Sequence, residues 1–187
     1  MTARPMRGPA PTDRGTARGY MPRAETVEWA SPPELMVQLR EEFGPFELDP
    51  AATPENAQAP RFYSEREDGL RQPWNARSVY VNPPYGHGLG AWVRRAVEAA
   101  RAGAVVVMLL PARTDTAWFH DCVWDAQQHR PRPGVEVRLL RGRVRYGGRG
   151  SAPFPSMVVV FRPLPPGEAG PSLKPGRGGI GDSGPQE

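Results

Sequence analysis

Residues Ala104 to Leu110 form an unbroken apolar run, Ala-Val-Val-Val-Met-Leu-Leu. A strand with no polar position has no face to turn to water, so it belongs in a sheet covered on both sides. The chain around it supplies the cover. Before it, Leu89, Trp92, Val93, Ala96, Val97 and Ala100 recur at helical spacing, and Gly103 closes the pattern. After it, Thr114-Asp115 is expected to cap a helix carrying Trp118, Phe119, Cys122 and Val123. Upstream, Ser31-Pro32-Pro33-Glu34 has the form of a capping box, with Ser31 as cap and Pro32 in the first turn. Leu35, Met36, Leu39 and Phe43 form the buried stripe of that helix, and Gly44-Pro45 stops it.

The remaining segments are shorter. Phe46 to Asp49 predicts a buried strand running into Pro50, and Thr53 to Ala57 a brief helical turn. Residues 60–77 carry no periodicity and are expected to be irregular, packed down by Phe62, Tyr63, Leu70 and Trp74. Ser78 to Val81 is a strand, and Met157 to Arg162 a final apolar one. Val135 to Tyr146 alternates like a strand but with a fault: its odd positions are apolar as far as Leu139 and arginine from Arg141 on. That switch predicts a bulge or a new strand near Leu140 to Gly142. Strands alternating with helices, then strands alone, predict an α/β fold with a mostly parallel sheet and antiparallel C-terminal strands. The domain is expected over residues 25–162. The basic arm 1–24 and the Pro/Gly-rich tail 163–187 are expected to be disordered.

Ligands of such sheets collect at the carboxyl ends of strands. Asp49-Pro50 and Asn82-Pro83 both fall at such ends, which points to one shared pocket. Asn82-Pro83-Pro84-Tyr85 can place an amide oxygen, a backbone carbonyl and a flat ring together. Two consecutive prolines hold the backbone extended and short of donors, leaving the Pro83 carbonyl available to a ligand. Two acceptors suit both hydrogens of an exocyclic amine, and Tyr85 offers a stacking surface. A plain strand-ending turn is the competing account of the same four residues.

Charge narrows the partner. The net charge is +4. Most of the excess in the folded part falls in Arg130 to Arg149, which holds seven arginines and one glutamate, whereas the rest of the core is acidic. A local basic strip on an acidic domain fits a polyanion, although a solvated arginine-rich ribbon has the same composition. Arg141, Arg143 and Arg145 share one face, and Arg113 follows a strand end; these four are candidate phosphate contacts. The single cysteine, Cys122, excludes an internal disulfide and is expected in the core. No apolar stretch reaches about 20 residues and no signal peptide is evident, so a cytoplasmic protein is expected, with no membrane and no metal partner. A monomer is compatible with all of this.

Several stretches together resemble the phage-encoded DNA N6-adenine methyltransferases (Dam-like). They are Trp29-Ala30-Ser31-Pro32, Phe46 to Ala52 with Asn56-Ala57, and Asp68-Gly69-Leu70 with Trp74. Asn82 to Tyr85, Leu110 to Asp115, Arg141-Gly142-Arg143 and Ser151 to Ser156 complete the set. The resemblance implies a Rossmann-like methyltransferase fold that uses S-adenosylmethionine to methylate adenine N6 in DNA. It further implies base flipping, since the amine of a stacked base is out of reach. Asn82, Pro83, Pro84 and Tyr85 would then be catalytic. Asp49, Pro50 and Ala51 would form the cofactor loop, Ser31 and Pro32 would lie near the cofactor, and Asp68 would contact its adenosine part. Two departures stand out. Ala51-Ala52 replaces a glycine-rich turn, and the second and third strands are compressed into about 20 residues. The ribose contact therefore stays open among Glu55, Glu65, Glu67 and Asp68. Methylation of RNA or of protein glutamine, or nucleic-acid binding without catalysis, are the alternatives.

Overall fold

The computed structural model describes residues 30–145, 152–165, 167 and 170. The expected disorder of the arm 1–24 and of most of the tail 163–187 lies outside these residues.

Helix α1 (Pro33–Phe43) buries Met36 and Leu39 and ends at Gly44, whose φ of 74° suits glycine. Its start corrects the sequence expectation. The N-cap is Pro32, and no side chain caps the helix. The Ser31 hydroxyl instead accepts hydrogen bonds from the Tyr80 hydroxyl (2.8 Å) and the Asn82 amide (3.2 Å). A tertiary demand on Ser31 overrides the local capping option.

One six-stranded sheet runs in the order β2-β1-β3-β4-β8-β7. Strands β1 (Leu48–Asp49), β2 (Arg61–Phe62), β3 (Ser78–Val81) and β4 (Val105–Pro111) are mutually parallel. Strand β8 (Ser156–Phe161) lies antiparallel between β4 and β7 (Val135–Leu139). Two antiparallel steps restore the direction, so β7 runs the same way as β4. The carboxyl ends of β1, β3, β4 and β7 therefore meet at one edge of the sheet. Strand β2 falls inside the stretch expected to be irregular; two residues are too few to show a period. Strand β1 is likewise two residues shorter than Phe46 to Asp49 suggests, although Glu47 N still donates to the Ser78 carbonyl.

Strand β4 is the central element anticipated from its composition. Val106 to Leu110 are fully buried, and each such side chain contributes roughly 1.5–3 kcal/mol. Helix α2 (Leu89–Arg101) covers one face through Trp92, Val93, Ala96 and Val97. Tyr80 points to the other face, where its ring meets Phe46 at 5.3 Å.

Strand β7 stops at Leu139, a bend follows, and Gly142 takes a φ of 78°. The chain then returns to pairing where Ala152 N donates to the Val144 carbonyl. This break lies where apolar positions give way to arginines. The helix expected after Thr114-Asp115 is only a short stretch ending in a π-helical turn, Phe119–Val123. It leads into a hairpin of β5 (Trp124–Asp125) and β6 (Arg130–Pro131) that the periodicity did not reveal. The Asp125 carboxylate makes its turn by accepting from the amides of Gln127 and Gln128.

Two arginines of the basic stretches are structural. Arg138 pairs with Glu42 of α1 and with Glu136, and Arg138 and Arg162 both lie over the Phe43 ring at 5.5 and 5.3 Å. They fasten α1 to the outer strands. Among the described residues, no helix is long and apolar enough to cross a membrane.

Candidate active site

A cavity of about 450 Å³ opens at the carboxyl edge of the sheet. Its floor is the loop after β1, with Pro50, Ala51 and Ala52; Asn56 follows from the next turn. One wall comes from the segment after β2, with Tyr63, Ser64, Glu65, Asp68 and Gly69. Pro84 and Trp92 supply the wall nearest β3 and α2. The cavity combines apolar surfaces with two carboxylates.

Asp49 holds the floor without lining it. Its side chain is buried, and its two carboxylate oxygens accept from the amides of Ala51 (3.3 Å) and Gln58 (3.1 Å). Burial pushes this carboxyl from the ordinary 3.8 up to about 6, and the hydrogen bonds from Gln58 and Ala51 only partly oppose it. The sign of the pH dependence follows. The folded protein holds this proton more tightly than the unfolded chain does, so the group favours folding most below pH 4. That advantage falls as pH rises and is gone above about 6, a change of about 3 kcal/mol. Asp49→Asn removes the titration. The melting temperature of the native protein relative to Asp49→Asn is therefore expected to fall between pH 4 and pH 7; a constant difference across that range would contradict the assignment.

Gly69 fits the wall because it lacks a side chain. A Cβ there would sit 1.8 Å from the Pro50 carbonyl oxygen and 3.1 Å from the Trp92 ring. Its own carbonyl accepts from the Trp74 indole at 2.8 Å. Asp68 beside it adopts a φ of 53° and pairs with Arg71 at 3.1 Å.

Asn82 sits beside this cavity, with Pro84 of the same loop lining it. The amide is clamped from two sides. Its nitrogen donates to Ser31 Oγ, and its oxygen accepts from the Tyr85 hydroxyl at 2.7 Å. The same hydroxyl also lies 3.2 Å from the Leu109 carbonyl. In this arrangement the amide oxygen faces Tyr85 and the nitrogen faces Ser31.

Of the residues expected in the site, Pro50, Ala51, Asp68 and Pro84 line the cavity. Ser31 enters through Asn82 rather than through the cavity wall, and Pro32 serves as the α1 cap. Pro83 is buried beside Asn82. Tyr85 is only 7% exposed and meets Phe154 edge to face at 5.5 Å, so its ring packs inward in this structure and its hydroxyl orients Asn82. Among the candidate ribose acids, Glu65 and Asp68 line the cavity, whereas Glu67 accepts from the amide and hydroxyl of Ser64. Asn56 and Gly69 belong to the stretches that carry the resemblance and Tyr63 was expected only to pack down, so their place in the cavity wall adds a role the sequence did not assign. Trp92, read only as core, is both core and wall.

The candidate phosphate contacts gather at the same edge. Arg113 leaves the end of β4, and Arg141, Arg143 and Arg145 follow the end of β7. Pairing of Pro111 with Ser156, and donation from Leu140 N to the Ser156 carbonyl, set both exits level across the sheet. All four arginines are exposed. Cys122 is buried, and desolvation followed by the Asp121 charge pushes its thiol up to about 11, which suits core rather than a nucleophile.

Comparison with known proteins identifies relatives of this chain. Residues 19–166 match the model of the family described as DNA N-6-adenine-methyltransferase (Dam). A protein of Escherichia phage T1 named DNA N-6-adenine-methyltransferase is 34% identical over 101 residues, which is 54% of this chain and 42% of that protein. A protein of the same name from Haemophilus phage HP1 (strain HP1c1) is 30% identical over 145 residues, covering 74% of this chain and 80% of that protein.

Proposed function

Because the chain belongs to the DNA N-6-adenine-methyltransferase (Dam) family, we propose that it transfers a methyl group from S-adenosylmethionine to the N6 amine of adenine in DNA. The observation that carries this reading is the clamped Asn82 amide in the loop whose Pro84 lines the cavity. Four parallel strands followed by an antiparallel pair, with a cavity at their carboxyl edge, support a Rossmann-like methyltransferase architecture.

The cavity fits the methyl donor by its chemistry. Pro50, Ala51 and Ala52 offer a close apolar floor, Tyr63 and Trp92 offer aromatic surface, and Glu65 and Asp68 offer acceptors for ribose hydroxyls. These carboxylates also suit a cation. When bound, S-adenosylmethionine supplies an activated methyl with its own leaving group. The protein's part is alignment. Asn82 Oδ1 and the Pro83 carbonyl would each accept one hydrogen of the adenine amine, drawing its lone pair out of conjugation. Ser31 and Tyr85 keep the Asn82 amide from rotating. Asn82 is neutral and is not a base, so the amine proton leaves to solvent after transfer.

The target adenine would leave the duplex stack to reach Asn82. The exposed arginines at the same edge favour a polyanion over a protein glutamine as substrate. Relatives encoded by phages support a site of action in the cytoplasm of a host cell. The test is direct: purified protein, methyl-labelled S-adenosylmethionine and adenine-containing duplex DNA are expected to yield labelled N6-methyladenine on nucleoside analysis. Label confined to cytosine, RNA or protein, or no label in any DNA, would overturn the proposal.

A further inference from the structure

Leu139 is 73% exposed, and with Val37 it is one of two large hydrophobic side chains left open among the described residues. Its place distinguishes it. It is the last residue of β7, at the edge where the cavity opens. It pairs with Met157, which pairs in turn with Leu110. Leu110 lies two residues beyond Met108, the partner of Val81, so the same cross-strand row leads to the Asn82-Pro83 turn. Three strand spacings separate β3 from β7, roughly 14 Å along the edge. Arg141 and Arg143 follow within four residues, both exposed, and Arg113 leaves β4 at the same level. The neighbouring Arg138 points to the opposite face and is held by Glu42 and Glu136, so the strand end that carries Leu139 is anchored to α1.

We infer that Leu139 is a wedge that enters the base stack of duplex DNA and occupies the space vacated when the target adenine is extruded. This inference rests on the DNA-methylating reading given above. An apolar side chain on a fixed strand end loses little freedom on insertion, and it replaces the stacking lost by the neighbouring base pairs. The flanking guanidinium groups suit the phosphates on either side. A lone exposed leucine needs no explanation on most surfaces; the cationic surround and the shared row with the Asn82 loop set this one apart.

The experiment compares methyl transfer by the native protein and Leu139→Ala on a duplex cut from a site methylated in host DNA. A second duplex carries an abasic site opposite the target adenine, which lowers the cost of extrusion. Leu139→Ala is expected to lower transfer to the intact duplex about tenfold or more, and the abasic duplex is expected to recover most of that loss. Val37→Ala serves as a control for exposed apolar surface, with transfer on both duplexes unchanged. Equal losses on both duplexes, or no loss on either, would overturn the wedge while leaving the methyltransferase reading intact. Failure of the native protein to methylate any duplex would instead strike that reading itself. If light scattering showed a native dimer that Leu139→Ala dissolves, the side chain would be a contact between copies, and the wedge would again be overturned.

Discussion

Replacing Asn82 with alanine is expected to lower methyl transfer by about a thousandfold or more while leaving S-adenosylmethionine affinity within a few-fold of native. The two effects separate because of where Asn82 sits. The cavity is lined by Pro84 of this loop, but the Asn82 side chain faces Ser31 and Tyr85. Removing it takes away the acceptor proposed for the amine and leaves the cavity walls in place. The cost to folding is expected to be small, about 1 kcal/mol. Ser31 retains the Tyr80 hydroxyl, and the Tyr85 hydroxyl retains the Leu109 carbonyl. Asn82→Asp keeps an acceptor oxygen and should lose less. Calorimetry for the cofactor and single-turnover transfer on DNA give the two numbers. Unchanged turnover in Asn82→Ala would remove this residue from the chemistry, whereas a parallel collapse of cofactor affinity would move it into the cavity wall.

Gly69→Ala is expected to have the opposite signature. The added carbon would meet the Pro50 carbonyl oxygen at 1.8 Å, a backbone atom that cannot swing aside. The floor and wall of the cavity must then part, and the Trp92 ring at 3.1 Å crowds the same position. Overpacking of this kind destabilises by about 1–3 kcal/mol or more. Cofactor affinity is expected to fall about a hundredfold. Transfer should fail through binding, so raising the cofactor concentration should recover part of it, as it cannot for Asn82→Ala. Native affinity and stability in Gly69→Ala would show that the Pro50 loop moves freely, against the rigid floor described here.

The parts of this molecule that were legible in its sequence are those with a long periodic signal. Ala104 to Leu110 announces a central strand because nothing in it tolerates water, and the stripe from Leu89 to Ala100 announces α2. The switch from Leu139 to Arg141 located the end of β7. Elements of two residues, such as Arg61-Phe62 and Trp124-Asp125, are too short to carry a period and exist because neighbours pair with them. Ser31 shows the other kind of failure. Its local sequence reads as a cap, yet its hydroxyl serves residues 49 and 51 positions away. Tyr85 illustrates the same limit within the site. Its spacing put it beside Asn82 correctly, but only packing against Phe154 shows that its ring turns inward. The basic strip likewise reads as one surface until Glu42 and Glu136 are seen to claim Arg138.

Strand β8 is the last of the sheet to be made and one of the most deeply enclosed, inserted between β4 and β7. While the ribosome is still synthesising residues before Ser156, β4 and β7 have no common partner, and the two exits that carry Arg113 and Arg141 have no fixed spacing. The edge that would receive DNA can therefore assemble only once the chain has emerged to Phe161. Until then, nascent protein has an open slot with unpaired strand borders on both sides, the kind of edge at which a foreign β-segment can lodge.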